Sequence, residues 1–573
     1  MKTTKTDRSS KTNKILVTNL SALPKDLQFL KYTFGLGFLV ALSFVVGSML
    51  TYEQRTCRTV VEVIQMLAIL CVMTFMSSIV AGLLLMLLMK LRDGRIKSRV
   101  GTTEYDSSRV FAFYTVVILL CWMPVFLAYY PSVFAYDAEG QLYQVLAHDY
   151  STHHPLLHTL FLGAFFKLGE NLPGSYSSGM ALHSIVQMFL MAMVLGYVLT
   201  VLYREGTSWV MRLLLLLFYA LFPANSVLAV STTKDVLFSG LVLLYVVKLY
   251  QWCIGNCKMG KEFVLPFVLI SVTMLLFRNN AVYAWLVCQP FLLYYAGKRK
   301  ALKRYAVAAA VTFCLFCLGS TGLKTAVSAQ SGSPREMLSV PLQQMARTRV
   351  MYEAEIDDDM RQRLDAYLSS EWVFAAYNPY LADPVKNRAV IHDDPAGLMK
   401  TWMRLGTQFP MTYVDAFLDN SIGYWYLADR THSTIYGIGT ESGFGYLSTD
   451  NRTMPAGCEI IRHSYLPGLR VFMERIVSDN EYQKMPIVSV IYAPAFYWWM
   501  LCAYIAFFLY RKEYRMLMPV LFLVVYYFTL LLSPTVLVRY MYPFILSSPM
   551  MLCLVSAKRR NNDISSLKID NKN

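Results

Sequence analysis

The sequence lacks the motifs that mark several common classes of enzyme. It contains no phosphate-binding loop, no glycine pattern for a dinucleotide and no Ser, His and Asp arrangement typical of a hydrolase. Two CxxC motifs at the spacing of a zinc site are also absent, and no internal repeat is detectable. Most of the 11 cysteines lie in apolar runs, where cysteine behaves as a small apolar residue. The apolar runs and the loops between them are therefore the informative parts of the chain.

Long apolar runs identify the chain as a multipass membrane protein. Apolar residues make up 56% of its 573 residues, and the mean hydropathy is +0.40, whereas about 45–50% is typical of soluble proteins. Crossing a hydrocarbon layer of ~30 Å takes about 20 apolar residues. The pattern predicts an all-α fold with about twelve spans and no cleavable signal peptide. The predicted spans are 32–50, 62–89, 111–129, 179–203, 209–228, 234–252, 263–278, 280–296, 305–322, 487–510, 516–532 and 537–557.

The distribution of lysine and arginine predicts how these spans are oriented. Cytoplasmic loops retain Lys and Arg, and this rule places both termini on the cytoplasmic side of the cell membrane. The net charge of +16 follows mainly from this bias, so we expect contact with membrane lipids and no binding of nucleic acid. The predicted regions are a tail (1–31), N-terminal spans (32–129), a first large outer loop (130–178), a transmembrane core (179–322), an outer domain (323–486), the last spans (487–557) and a second tail (558–573).

Two segments outside the membrane have distinct patterns. The outer domain has apolar residues at helical spacing in its first half, whereas its second half is rich in Gly, Tyr and Pro. We expect a mixed, mainly helical domain. Residues 155–169 are apolar but too few to span a bilayer, so they are predicted to form a helix at the membrane surface.

The first outer loop carries the densest group of ionisable residues in apolar surroundings. Asp137 and Glu139 are two residues apart, and in an extended or turning loop such carboxylates can bind a divalent cation together with water. One of them can instead accept a proton from an attacking hydroxyl group. The alternative is that both are ordinary charges of a solvated loop.

Three histidines follow in the same loop. His154 and His158 are four residues apart and would share one face of a helix, with His153 beside them. They could bind a metal ion, or they could bind a phosphate or acceptor group. A third interpretation is structural, because Pro155 is suited to the first turn of a helix that these residues would cap.

Three cations lie at the outer ends of predicted spans, against the bias that retains positive charge inside. They are Lys234 in TTKD, Arg278 in FRNN and Arg539 in VLVRY. Charges near the membrane boundary are costly and are usually paired or functional. Together the three could converge on one anionic head group, which Arg and Lys bind well. Each could also be paired with Asp235, Asp137 or a lipid phosphate.

These motifs resemble those of the GT-C superfamily of membrane glycosyltransferases, which includes protein mannosyltransferases and aminoarabinose transferases. The resemblance rests on the acidic motif Asp137-Ala-Glu139, the segment 155–169, the outer Lys234 and Arg278, and the sequence RYMYPF at 539–544. The combination of D…Q…HHPLLHT, TTKD and RNN is similar to an uncharacterised bacterial branch of that superfamily. The large outer domain departs from the pattern, because it precedes the last three predicted spans instead of standing at the C-terminus.

The resemblance implies a bundle of spanning helices and transfer of a sugar with inversion. The donor would be a sugar on polyprenyl phosphate, and the acceptor would be an envelope glycan, lipid or protein. Asp137 would be the general base, and Glu139 would assist or would share a divalent cation, Mg²⁺ or Mn²⁺, with Asp137. The substrate would contact residues from four parts of the chain. These are His153, His154, His158, Lys234, Arg278, Asn279, Arg539 and Tyr540.

Other functions fit parts of the same pattern. A transporter or flippase for a lipid-linked anion would use the same cations without chemistry, although such proteins often contain inverted repeats. A polymerase or ligase of surface polysaccharide would differ mainly in its acceptor. A scaffold for envelope assembly would tolerate neutralisation of Asp137 and of the outer cations.

Overall fold

A computed structural model describes most of the chain as helices. The described residues are 27–93, 106–133, 136–173, 175–254, 259–332, 334–391, 394–429, 457–477, 481, 485 and 487–557. Within these residues the only β structure is a few isolated bridges. The helices of the membrane half up to the outer domain are α1 Leu27–Glu53, α2 Val60–Arg92, α3 Ser107–Ala128, α4 Tyr136–Ala147, α5 Leu156–Gly169, α6 Ser175–Arg204, α7 Trp209–Leu221, α8 Pro223–Ala229, α9 Asp235–Cys253, α10 Lys261–Phe277, α11 Ala281–Lys298 and α12 Leu302–Ala326.

The remaining helices form the outer domain and the C-terminal membrane segments. They are α13 Ser339–Tyr352, α14 Asp358–Asp365, α15 Ser370–Ala376, α16 Asp383–Arg388, α17 Pro395–Gln408, α18 Pro410–Trp425, α19 Pro467–Val477, α20 Val488–Tyr492, α21 Pro494–Tyr510, α22 Leu521–Leu530 and α23 Tyr542–Val555. Short 3-10 turns cover Pro334–Leu338, Glu353–Glu355, Tyr514–Val520 and Val538–Met541.

Seven helical segments of the described chain are long and apolar enough to cross a membrane. An eighth is added if α7 and α8, which meet at a bend of 52°, form one broken span. These segments confirm an all-helical membrane protein, and each predicted span coincides with one helix or with two consecutive helices. The count of twelve stays a prediction, because the helices at four predicted spans, α10, α11, α21 and Tyr514–Leu530, do not meet the same length and hydropathy test.

Helices α9 and α23, which begin near Lys234 and Arg539, lie in the core of the bundle. Most of α9 is buried, with 72% of its apolar window inside the protein, whereas the corresponding value for α12 is 11%. Helix α9 packs against α6, α10 and α23. A helix that is apolar on all sides is either buried or faces lipid. Helices α9 and α23 are therefore the fixed scaffold, and α12 presents its side chains to the bilayer.

The first outer loop is more ordered than its sequence suggested. The expectation of an extended or turning loop around Asp137 was wrong, because residues from Tyr136 to Ala147 form α4. Ala138 and Leu142 face α5, where they share an apolar cluster with Leu162. The predicted surface helix at 155–169 is present as α5, which Pro155 precedes as the N-cap residue. The two helices pack against each other, and α5 also packs against α6 and α10.

The outer domain has its own apolar core and is attached to the loop between α1 and α2. Its predicted helical first half is confirmed by α13 to α18. Much of its predicted irregular half, residues 430–456, lies outside the described residues. Asp415 of α18 accepts hydrogen bonds from the backbone and hydroxyl of Thr56, and it forms an ion pair with Arg58. The domain therefore lies on the same side of the membrane as residues 54–59.

Candidate functional site

A backbone bridge brings the start of the first outer loop to the segment before α9. The amide of Val133 donates to the carbonyl of Val230 at 3.0 Å, and the amide of Thr232 donates to the carbonyl of Val133 at 3.1 Å. Lys234 follows as the N-cap residue of α9. Because α4 begins three residues after Val133, the bridge places Asp137 beside Lys234 although 97 positions separate them in sequence.

Asp137 is paired with two cations through one oxygen. Lys234 Nζ donates to Asp137 Oδ2 at 2.9 Å, and Arg539 Nη1 donates to the same oxygen at 3.1 Å. The Asp137 side chain keeps 18% of its surface exposed, so one side of the carboxylate stays accessible. Burial alone would raise the pKa of the Asp137 carboxyl, but the charges of Lys234 and Arg539 hold that pKa well below its usual range.

A second carboxylate, Asp235, completes the cluster. It is 1% exposed and lies in the first turn of α9. Thr233 Oγ1 donates to Asp235 Oδ2 at 3.1 Å, and Arg539 Nε lies 3.7 Å from the same oxygen. Arg278 forms an ion pair with Asp235 through its other oxygen. Arg539 therefore connects the two carboxylates, and the charges alternate in the order Lys234, Asp137, Arg539, Asp235 and Arg278.

Aromatic and amide groups hold the two arginines in place. The guanidinium of Arg278 lies 4.6 Å from the ring centre of Tyr540, and that of Arg539 lies 5.3 Å from the same ring. Arg278 Nε also donates to Asn280 Oδ1 at 3.0 Å. A guanidinium over an aromatic ring gains electrostatic attraction from the face of the ring. Tyr540 is therefore a wall of the cluster.

The cluster carries excess positive charge. Three cations face two carboxylates, which leaves one positive charge over if His154 is neutral. His154 Nδ1 lies 3.2 Å from Lys234 Nζ, so a neutral ring can accept a hydrogen bond there. Burial, followed by the charge of Lys234, lowers the pKa of His154 to about 3. A cluster with excess positive charge attracts anions.

The other predicted histidines lie beside the cluster and not in it. His153 is 44% exposed at its side chain, and its Nδ1 lies 3.9 Å from Glu336 of the outer domain. His158 is fully buried on α5, where its Nδ1 lies 3.1 Å from the amide nitrogen of Gln141. Asn279 donates to the carbonyl of Thr152 at 3.1 Å and so fixes the loop that carries His154. Of the three histidines, only His154 therefore contacts a charged member of the cluster.

Glu139 faces away from Asp137 and has a different neighbour. Each residue of an α-helix turns the chain by ~100°, so residues two apart on α4 point to nearly opposite sides. Glu139 is 8% exposed. Burial, followed by the charge of Arg470, lowers the pKa of Arg462 to about 10, and the charge of Glu139 opposes this shift. Glu139 is therefore an electrostatic neighbour of Arg462 in the segment that follows residue 456.

The geometry does not fit a divalent cation at Asp137 and Glu139. The helix separates the two carboxylates, and Asp137 already has two positively charged partners. Among the described residues, no group of three or more His, Cys, Asp or Glu side chains is placed to hold a metal ion. The Mg²⁺ or Mn²⁺ that the sequence suggested therefore has no ligand set in this part of the chain.

A small cavity of about 110 Å³ lies next to His154. Its polar end is formed by Thr152, His154 and Asn279. Apolar side chains of α10 and α12, including Leu275 and Phe316, line the rest. The cavity thus lies between the charged cluster and helices α10 and α12, and an amphiphilic molecule could place its polar head and its apolar chain in the corresponding ends.

Sequence reasoning assigned no site role to several residues that the structure brings into the cluster or next to it. Asp235 was considered only as a pairing partner, and Thr233 and Gln141 were given no role of their own. The TTKD motif contained the available signal, because an acidic residue directly after an outer cation at the start of a span is itself costly to bury. Arg462 gave no local signal, since only the fold brings it near Glu139.

The fold and this cluster define a class: a helical membrane protein with a buried, alternating set of cations and carboxylates at one end of its bundle. Residues 147–568 match a family of unknown function, DUF6020, and the chain belongs to this family. Lys234, Arg278 and Arg539 lie within the matched residues, whereas Asp137 precedes them. No curated protein and no solved structure matches the chain.

Proposed function

We propose that the chain is a membrane glycosyltransferase of the GT-C type, which moves a sugar from a polyprenyl-phosphate donor to an acceptor outside the cell. The observation that supports this most is the cluster in which Lys234 and Arg539 pair with Asp137 while Arg278 pairs with the neighbouring Asp235. Cations can stabilise a departing phosphate, and a carboxylate can accept the proton of the attacking group. Both requirements are met within one cluster.

The pairing of Asp137 suggests how the base is controlled. With Lys234 and Arg539 as partners, the carboxylate has a depressed pKa and is a weak base. A bound donor phosphate would compete for the same two cations. When Lys234 and Arg539 turn to the phosphate, Asp137 loses its partners and its pKa rises, so the base becomes stronger only when the donor is present.

The proposed transfer is a single displacement. The acceptor hydroxyl gives its proton to Asp137 while its oxygen forms a bond to the anomeric carbon of the sugar. The bond between that carbon and the phosphate oxygen breaks, and the oxygen leaves with the electron pair as lipid phosphate. Arg278 and Arg539 stabilise the charge that develops there. Because the protein's own cations carry this role, no step requires a divalent ion.

The surrounding residues would bind the donor. Asn279 and His154 form the polar end of the cavity, and the apolar lining from α10 and α12 would accept the first units of the prenyl chain. Tyr540 would support the two arginines. Glu139 would assist only indirectly, through the neighbouring Arg462 and the position of α4.

The test is transfer by the purified full chain in nanodiscs, with labelled sugars on polyprenyl phosphate and envelope fractions as acceptors. Asp137→Asn should abolish transfer, and it should keep or strengthen donor binding because Lys234 and Arg539 lose their competitor. Lys167→Gln, which changes an outer cation at the end of α5, is the matched control and should transfer normally. Full transfer by Asp137→Asn would contradict the proposed base.

A transporter of lipid-linked anions is the second candidate. The observation in its favour is the break between α7 and α8. Helix α8 then ends at Ala229, a few residues before Lys234. Broken helices place backbone groups at the substrate sites of many transporters. Movement of a lipid-linked sugar across vesicles, without any product of transfer, would favour this function. A polymerase or ligase would instead elongate an oligosaccharide acceptor, and a scaffold would retain its role after neutralisation of Asp137.

We also propose twelve spans, with both termini in the cytoplasm. The attachment of the outer domain to residues 54–59 supports an outward position for the loop between α1 and α2. Cysteines introduced at Lys300 and Ser331, two exposed positions at opposite ends of α12, test the orientation. An impermeant maleimide applied to intact cells should label position 331 and not position 300, and the reverse pattern would contradict the proposed topology.

A further inference from the structure

A group of three sulfur atoms lies at the outer end of the hairpin formed by α1 and α2. Cys57 Sγ is 4.0 Å from Met49 Sδ and 3.7 Å from Met66 Sδ. Met49 belongs to α1, Met66 belongs to α2, and Cys57 lies in the loop that joins them. The hairpin therefore brings three soft ligands together, on a part of the chain that precedes both the charged cluster and the residues matched by the family.

We propose that Cys57, Met49 and Met66 form a binding site for a soft monovalent metal ion, Cu(I). Thiolate and thioether ligands favour Cu(I) among the biological metals. An ion that lies ~2.3 Å from each of three sulfurs in one plane separates the sulfurs by ~4.0 Å. Both separations from Cys57 Sγ, 4.0 Å to Met49 Sδ and 3.7 Å to Met66 Sδ, are close to that value.

The charge of the site also favours a monovalent ion. Methionine sulfur is neutral, and Cys57 contributes one negative charge once its thiol has lost its proton. A thiolate and Cu(I) give a neutral complex, whereas Zn²⁺ would leave one positive charge beside apolar side chains such as Leu42 and Leu70. The proton of the Cys57 thiol is released to solvent when the metal binds, and no oxidation or reduction takes place.

Nearby charges do not block the ion. Arg55 is paired with Glu62 at 2.9 Å, and Arg58 is paired with Asp415. Cys57, Met49 and Met66 are each partly exposed, so the ion can enter from the outer surface. Burial, followed by the charge of Glu62, raises the pKa of the Cys57 thiol. The affinity for Cu(I) should therefore increase with pH, because protons compete for the same sulfur.

The experiment follows Cys57 itself, because the chain has other thiols. The purified full chain is titrated with Cu(I) without oxygen, with bathocuproine as competitor, and alkylation of each cysteine is measured by peptide mass spectrometry. We expect one equivalent of Cu(I) to protect Cys57, and Zn²⁺ at the same concentration to leave it reactive. Met49→Leu and Met66→Leu should each weaken this protection at least tenfold. Each replaces a thioether by an apolar side chain of similar volume.

Met73→Leu is the matched control for the methionine variants. Met73 lines the same apolar cluster but lies two turns beyond Met66 on α2, about 10 Å along the helix. Its replacement should not change protection of Cys57. The proposal is overturned if Met49→Leu and Met66→Leu protect as well as the wild type, or if Cu(I) protects the other outer cysteine, Cys458, equally. It is also overturned if Zn²⁺ protects Cys57 as strongly as Cu(I).

Discussion

Arg539 is the residue on which the charged cluster depends most, because it contacts both carboxylates. It donates to Asp137 and Thr233 through Nη1, and its Nε faces Asp235. Lysine carries the same charge but has a single ammonium group and no planar fork. A positive charge at position 539 is therefore not sufficient by itself to contact both Asp137 and Asp235.

Arg539→Lys should reduce donor transfer by at least roughly tenfold while the protein stays folded, because one ammonium cannot serve both carboxylates. Arg539→Gln should in addition lower the thermal stability, since it leaves the buried Asp235 with Arg278 as its charged partner. Transfer rates and melting temperatures in detergent measure the two effects separately. A fully active Arg539→Lys variant would show that bridging is unimportant.

His154 predicts a dependence of stability on pH. Its pKa in the folded protein is about 3, below the value near 6.5 of an unfolded chain. As the pH falls below ~6.5, the unfolded chain binds a proton that the folded protein does not. The contribution of His154 to stability is therefore present above ~6.5 and decreases down to about pH 3.

The effect of His154 should amount to about 1 kcal/mol between pH 7.5 and pH 5.5. The melting temperature of the wild type should therefore fall more over this interval than that of His154→Gln, whose amide can still accept from Lys234. His153→Gln changes the exposed neighbour and should follow the wild type. Equal slopes for the wild type and His154→Gln would contradict the buried, neutral ring.

At the scale of the elements, the contact between α4 and α5 sets the position of Asp137. A Cβ atom built at Gly163 would lie 2.5 Å from Val145 Cγ2, which is closer than real side chains come. A Cβ atom built at Gly140, on α4 itself, would have open space around it. The two glycines therefore provide a matched pair of substitutions, one inside the contact and one outside it.

Gly163→Ala should destabilise the protein by about 1–3 kcal/mol through overpacking, and it should weaken binding of polyprenyl phosphate by shifting α4. Gly140→Ala should be neutral or stabilising by up to ~1 kcal/mol, because alanine favours the helix. Melting temperature and lipid binding by native mass spectrometry check both variants. If Gly163→Ala leaves lipid binding unchanged, α4 does not position the site.

At the scale of the whole molecule, the outer domain is joined to the loop between α1 and α2 by an ion pair and by hydrogen bonds. Asp415 is fully buried and contacts Thr56 and Arg58 across the boundary. Arg347 of the domain pairs with Asp419 and also donates to the carbonyl of Gln54. The loop between α1 and α2 is therefore held by the domain, although α1 and α2 are remote from the domain in sequence.

Asp415→Asn should destabilise the protein by about 3–5 kcal/mol, because it leaves Arg58 without its buried partner. Asp358→Asn, on the same domain, removes the 95% exposed partner of Arg361 and should change little. Thermal unfolding in detergent and the rate of proteolysis near residues 54–59 measure the difference. Equal stability of the two variants would contradict attachment through Asp415.

The sequence contained the class of the fold and part of the site. Apolar runs were sufficient to predict the membrane helices. The unusual position of Lys234, Arg278 and Arg539 was sufficient to identify them as candidate site residues. The helix in the first outer loop was not predicted, although Ala138, Leu142 and Val145 have helical spacing, because Glu139 and Gly140 interrupt the apolar pattern. Two further features of the site were not predicted from the sequence.

Those two features are the role of Asp235 and the position of Glu139. An acidic residue at the start of a helix is commonly a favourable charge near the helix N-terminus, so Asp235 alone does not indicate a bridge to Arg539. The sequence suggested that Glu139 acts together with Asp137. Because α4 is a helix, its turn directs the Glu139 side chain away from Asp137.

The alternation of charges in the cluster has a consequence for the biosynthesis of the protein. Asp137 and Arg539 are 402 positions apart, so at about 5–20 residues per second the ribosome needs roughly 20–80 s between them. For most of that interval Lys234 and Arg278 can already pair with Asp137 and Asp235, but the arginine that joins the two ion pairs is still missing. The nascent chain therefore holds two separate ion pairs until Arg539 is inserted, and a chain that stops before its last helices exposes these unjoined buried charges to the proteases of membrane quality control.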